Sequence, residues 1–166
     1  MVEQAFLEVR DNTPGALGVA EAAVRAAEDA GVEVLRALSI LGTAQLFNGL
    51  PGWEPILVAA HDGARQEGRP ELEASIAYHL VIGLGFNARL IEAIETADRA
   101  RARAEESGLG NWSTNLEQVS FIQRAVLSRD PASVVADAEA HLARHPLFRN
   151  RPNTHTARVY LSLIHI

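Results

Sequence analysis

The chain has 166 residues and a formal net charge of −6, with 48% hydrophobic and 22% charged residues. A chain of this size buries about 70% of its unfolded surface and needs no covalent staples. All 15 cationic side chains are arginine and cysteine is absent, which excludes disulfides, thiolate chemistry, Cys-type zinc sites, a P-loop lysine and Schiff-base catalysis. The acidic balance argues against a nucleic-acid-binding surface in this segment.

In chain order, the opening MVEQAFLEVRDN lacks the basic-then-apolar form of a secretion signal. No stretch approaches the ~18 apolar residues of a membrane helix. A cytoplasmic chain with no membrane partner is the expectation. Breakers then cut the sequence into helix-length pieces. Residues 15–30 place Leu17, Ala20, Val24 and Ala27 on one stripe, and Gly31 closes the run. Residues 33–48 carry Leu38, Leu41 and Ala44, and end at Asn48-Gly49-Leu50-Pro51-Gly52. Trp53 to Glu67 is stopped by Gly68, and Pro70 opens a segment reaching about Asn87. Leu90 to Ser107 ends at Gly108, and Ser113 to Ser128 has Ser113 or Thr114 as its expected cap. Pro131 opens the next helix and Pro146 ends it. No sustained two-residue alternation flanked by Asn-Gly or Asp-Gly turns appears, so the chain reads as all-α.

The pieces recur. A shift of 40 aligns Glu33 with Glu73, Ala37 with Ala77, Leu50 with Leu90, Ala60 with Ala100, Ala64 with Ala104 and Gly68 with Gly108. Two helices per period of about 40 residues is the pattern of a helical-hairpin solenoid. The expected hairpins are 33–68, 71–107 and 113–145, flanked by helices at 15–30 and 152–160, within one repeat array over 1–160. Many of the 28 alanines serve as seams. Ala93, Ala97, Ala100 and Ala104 form one narrow stripe with nothing beyond Cβ, which lets a neighbouring helix approach closely. The Glu95–Arg99 pair and the adjacent arginines read as a solvated face. The last residues, Leu161-Ser162-Leu163-Ile164-His165-Ile166, resemble the translation of a transposase sequencing adapter. They are expected to be an adapter-derived tail on a fragment.

The run LGTAQLFNGLPGWEPILVAAHDGARQEGRPELEASIAYHL resembles the helical-repeat region of large ATP-binding LuxR-family (MalT-like) transcriptional regulators. The features that carry the resemblance are Leu41-Gly42-Thr43-Ala44, Gly52-Trp53 and Ala77-Tyr78. In RDPASVVADAEAHLARHPLF, Asp137, Ala138, Glu139, Ala143, Arg144 and Pro146 also match a recurring helix of that family. The resemblance spans about residues 5 to 160. It implies antiparallel helical hairpins stacked as a tetratricopeptide-like right-handed solenoid, between an ATPase module and a DNA-binding helix-turn-helix that this segment lacks. Leu50-Pro51-Gly52, and the glycines Gly83 and Gly85 within a helix, depart from the family pattern.

Few residues suggest chemistry. Gly83-Leu84-Gly85-Phe86-Asn87-Ala88 has the form GxGxxA, but the preceding IAYHLVI belongs to a repeat helix and not to the strand that a dinucleotide fingerprint needs. Asp137, His141 and His145 step by four, the spacing that lets a carboxylate and two imidazoles face one ion, although Pro146 follows at once. Trp53, Trp112 and Tyr78 read as core aromatics, and no nucleophile or paired-carboxylate motif is present. No residue is assigned to catalysis, to a cofactor or to a metal. The expected site is a concave groove lined by Arg36, Thr43, His79 and Asn87, which takes a protein or peptide segment or a small effector. Self-association of the fragment is expected, because a cut solenoid exposes apolar faces. Two other classes fit the same residues: a free-standing helical-repeat adaptor, and a small metal-dependent helical enzyme using Asp137, His141 and His145.

Overall fold

The computed structural model describes residues 1–10, 15–128 and 130–146. Among these residues the chain forms eight α-helices and no strand. They are α1 (Val2–Arg10), α2 (Ala16–Ala30), α3 (Val34–Phe47), α4 (Trp53–Gln66), α5 (Pro70–Phe86), α6 (Leu90–Glu106), α7 (Gly110–Leu127) and α8 (Pro131–Arg144). Helix α1 has no counterpart among the expected elements. The helix expected at 152–160 and the tail 161–166 lie outside the described residues.

One turn geometry is used again and again. Val32 N–H reaches Ala27 O, Leu50 reaches Gln45, Arg69 reaches Ala64, Arg89 reaches Leu84 and Leu109 reaches Ala104, at 2.8 to 3.1 Å. Each bond joins a residue two or three beyond a helix to the carbonyl five before it, the pattern of a Schellman turn. That turn needs one residue in the left-handed region. Gly31, Gly49, Gly68 and Gly108 supply it with φ of 64 to 71°, and Ala88 does so at φ 58° without the freedom of glycine. The left-handed residue of this turn therefore recurs at 31, 49, 68, 88 and 108, about every 20 residues, while Gly15, Glu33 and Gly52 are left-handed at helix N-termini.

The chain divides into two compact units, Met1–Gly83 and Leu84–Ile166, with the boundary inside α5. In the first unit, α3 and α4 run antiparallel. Gly52 lies beside Gln45, Gly42 faces Leu57 and Gly63 faces Leu35, so residues late in one helix meet residues early in the other. A Cβ on Gly42 or Gly63 would fall 2.7 or 2.6 Å from a leucine methyl group, so these glycines set how closely the pair approaches. The core runs from Ala5, Val9, Ala16, Ala20, Ala23, Ile40 and Ala44 to a second cluster of Leu46, Trp53, Leu57, Ala60, Ala64, Ile76 and Leu80. Leu57 and Ile76 are fully buried, which contributes about 2 kcal/mol each.

In the second unit the alanine seam of α6 is buried at Ala93, Ala97, Ala100 and Ala104, as its spacing predicts. Helix α7 lies antiparallel on α6. Ser113 Oγ donates to Glu105 Oε1 at 2.8 Å near one end, and Arg124 Nη2 donates to Asp98 Oδ1 at 2.5 Å near the other. The expected cap at Ser113 or Thr114 is corrected: α7 starts at Gly110, and both residues lie inside it. Ser113 bonds across the hairpin to Glu105, and the Thr114 hydroxyl donates back to Gly110 O at 2.9 Å, so neither oxygen serves the helix end. Helix α8 is capped as expected of a proline start, with Asp130 Oδ1 accepting from Ser133 N–H at 3.3 Å.

Candidate functional site

Of the four residues expected to line a groove, three belong to the first unit. Arg36 Nη2 donates to Glu3 Oε2 at 2.9 Å, so its guanidinium ties α3 to α1. Thr43 is buried and its hydroxyl donates to Ser39 O at 2.8 Å, one turn back on the same helix. His79 lies on α5, and its Nδ1–H donates to Ser75 O at 2.9 Å. Because a carbonyl only accepts, this bond leaves Nε2 as an acceptor. Burial pulls the pKa of His79 down to about 4, against a smaller opposing effect of the Ser75 carbonyl, so the ring is neutral at physiological pH. Asn87 is exposed in the turn after α5, in the second unit.

Around His79 the structure adds two rings. Phe47, half exposed at the end of α3, meets the imidazole edge-on at 6.5 Å, and Tyr78 does so at 5.5 Å. A neutral imidazole acceptor between aromatic edges can take an N–H or O–H donor with an apolar body. Arg36 stands eleven residues before Phe47, about 16 Å along the helix at 1.5 Å per residue, so it belongs to the other end of that face. Phe47 was accessible to sequence reasoning only through its position as the last apolar residue before Asn48-Gly49.

The GxGxxA motif has a packing explanation. Gly83 lies in α5 where a Cβ would collide with the Trp53 ring, and Gly85 is where a Cβ would sit 2.5 Å from Gln123 Nε2. Ala88 is the left-handed residue of the next turn. No strand precedes Gly83 and Gly85, which lie inside α5.

The Asp137, His141 and His145 stripe separates. Asp137 is exposed, whereas His141 is fully buried between α7 and α8. His141 Nδ1–H donates to Glu117 Oε2 at 2.9 Å, and Arg144 Nη2 stands 3.7 Å from the other Glu117 oxygen. The imidazole meets Phe121 edge-on at 5.3 Å and lies 4.9 Å from the His145 ring. Burial lowers the pKa of His141, and the Glu117 charge and hydrogen bond oppose that shift. Glu117 is twenty-four residues from His141 in sequence, and no local pattern announces the pairing. Among the described residues, no group of three or more His, Cys, Asp or Glu is arranged to hold a metal ion, and no helix is long and apolar enough to cross a membrane. The chain matches no protein family, no curated protein and no solved structure.

Proposed function

We propose that this chain is a non-catalytic, tetratricopeptide-like repeat segment of a LuxR-family signal-transduction ATPase regulator, and that it senses a protein segment or a small effector. The observation that carries the reading is the Schellman turn repeated at 31, 49, 68, 88 and 108. Helices of 14 to 18 residues from α2 to α7, joined by one turn type, suit a hairpin array. The contacts of Glu3 with Arg36, and of Phe47 with His79, also bring alternate helices together within the first unit. In such an array alternate helices line one face, and the Phe47, Tyr78 and His79 cluster is the part of that face suited to a ligand with an apolar body and a hydrogen-bond donor.

The test is to read the coding sequence outward and to measure binding between this chain and the neighbouring modules by calorimetry. A P-loop module upstream and a helix-turn-helix downstream are expected. Binding to the ATPase module should weaken on Phe47→Ala and His79→Ala. Flanks that carry neither module would remove the regulator from the reading. The chain should also self-associate, because Phe47, Leu50 and Val58 in the first unit and Phe86, Ile91 and Val126 in the second are exposed. Light scattering that shows a monomer at high concentration would count against that.

A further inference from the structure

We propose that His141 and His145 form a two-imidazole site for a divalent transition-metal ion, with Glu117 holding His141 in the metal-binding tautomer. His141 lies in the last turn of α8 and His145, four residues on, is its C-cap, with the two rings side by side. Their ring centres are 4.9 Å apart. Two imidazoles bound to one tetrahedral ion through bonds of about 2 Å place their centres about 5 Å apart, so the rings already have the required separation.

The tautomer is fixed as well. Glu117 Oε2 accepts a hydrogen bond from His141 Nδ1–H at 2.9 Å, so the lone pair resides on Nε2. A carboxylate on the remote nitrogen is the usual support of a metal-bound histidine, because it fixes the ring and raises its basicity. Arg144 balances the second oxygen of that carboxylate at 3.7 Å. Nε2 itself is buried and has no hydrogen-bond partner among the described residues. A buried acceptor left in that state opposes folding, and native structures seldom keep one unless something else occupies it. An ion bound at this lone pair removes the anomaly without displacing a proton from His141.

Phe121 walls the inner side of the imidazole, while His145 closes α8 and is only partly buried, so an ion enters past His145. Imidazole nitrogen selects zinc, copper or nickel over magnesium and calcium. Water fills the remaining coordination positions, since no third protein ligand joins the pair among the described residues.

The experiment titrates the full chain with Zn²⁺ in a calorimeter and follows Cu²⁺ by electron paramagnetic resonance. The expected result is one ion per chain, nitrogen hyperfine structure from two imidazoles, and no uptake of Mg²⁺. His145→Ala should weaken binding at least about tenfold, and Glu117→Gln about tenfold through the released ring. His141→Gln should abolish it. If that variant fails to fold, His145→Ala decides, because its side chain lies at the helix end and circular dichroism reports whether α8 survives. Zn²⁺ affinity equal to wild type in folded His145→Ala, or no uptake by the wild type, would overturn the proposal.

Discussion

The two units differ in how far polar side chains tie their helices together. In Met1–Gly83, Thr43 and His79 each donate to a carbonyl one turn back on their own helix, at Ser39 and Ser75. What joins the helices there is chiefly apolar, alanine seams, Leu57, Ile76 and the Trp53 ring, with the Arg36–Glu3 and Arg69–Glu33 pairs at the surface. In Leu84–Ile166 the helices are also joined by polar side chains, through Ser113 with Glu105, Arg124 with Asp98 and His141 with Glu117. A polar group closed into its own helix holds no partner and can be replaced by an apolar one of similar shape. A polar group shared between helices fixes which helices pair, and losing one member leaves the other unsatisfied.

The histidines test this difference with the largest expected effect. His79 is held near pKa 4 in the folded chain, against about 6.5 when unfolded. A lowered folded pKa means that the unfolded chain takes the proton first as pH falls. Stability is therefore complete above about pH 6.5, declines from there to about pH 4, and levels off below, with a total loss of about 3 kcal/mol. Chemical denaturation across that range should show the decline, and His79→Gln should remove most of it. For His141 the shift has the same direction, but the Glu117 charge works against it. His141→Gln should flatten the profile less than His79→Gln. Equal flattening by both variants would mean that the inter-helix carboxylate does nothing for the imidazole.

Much of the fold was legible because its determinants are local. Gly31, Gly68, Gly108, Pro70 and Pro131 act on the backbone of their own turn, so their effect needs no knowledge of what packs nearby. The α6 seam was legible for the same reason, since four alanines spaced by four and three can face only one way. Helix α1 went unrecognised although Val2, Ala5 and Val9 carry helical spacing, because a nine-residue helix gains its stability from the residues it packs against. The candidate site was legible least. Register alone assigns Arg36 and Thr43 to the groove, yet Glu3 and the Ser39 carbonyl engage their polar atoms. Glu117 was invisible as the partner of His141, because pairing across a hairpin depends on helix rotation and axial offset, which periodicity does not give.

A smaller effect separates two glycines of α5 that lie on either side of the unit boundary. At Gly83 a methyl group would enter the Trp53 ring, whose edge is rigid and itself packed in the core. Gly83→Ala should cost about 2 kcal/mol, from overpacking partly offset by better helix propensity. At Gly85 the neighbour is the amide end of Gln123, 2.5 Å from the added carbon, and a flexible side chain can rotate away. Gly85→Ala should fall within about 0.5 kcal/mol of wild type, because the gain of about 1 kcal/mol in propensity offsets the disturbance. Urea midpoints for the two variants decide this, and a larger loss at Gly85 would show that Gln123 is fixed in place.

The smallest effect concerns the turns. Gly68 in the first unit and Ala88 in the second play the same part: each sits in the left-handed region, at φ 65° and 58°, and lets the following residue bond back five positions. Glycine adopts that conformation freely, whereas alanine crowds its Cβ against the backbone. Glycine also gives the unfolded chain more freedom, which cancels part of the benefit. Ala88→Gly should therefore stabilise the chain by only about 0.7 kcal/mol, and Gly68→Ala should destabilise it by a similar amount. Ala88 is exposed, and a Cβ on Gly68 would meet nothing within 4 Å, so neither change disturbs packing and the pair isolates the backbone contribution. Opposite shifts of the denaturation midpoint at unchanged slope are the expected reading. A loss of stability in Ala88→Gly would mean that the 88 turn is held by contacts of its methyl group, and that the turn series is not one repeated device.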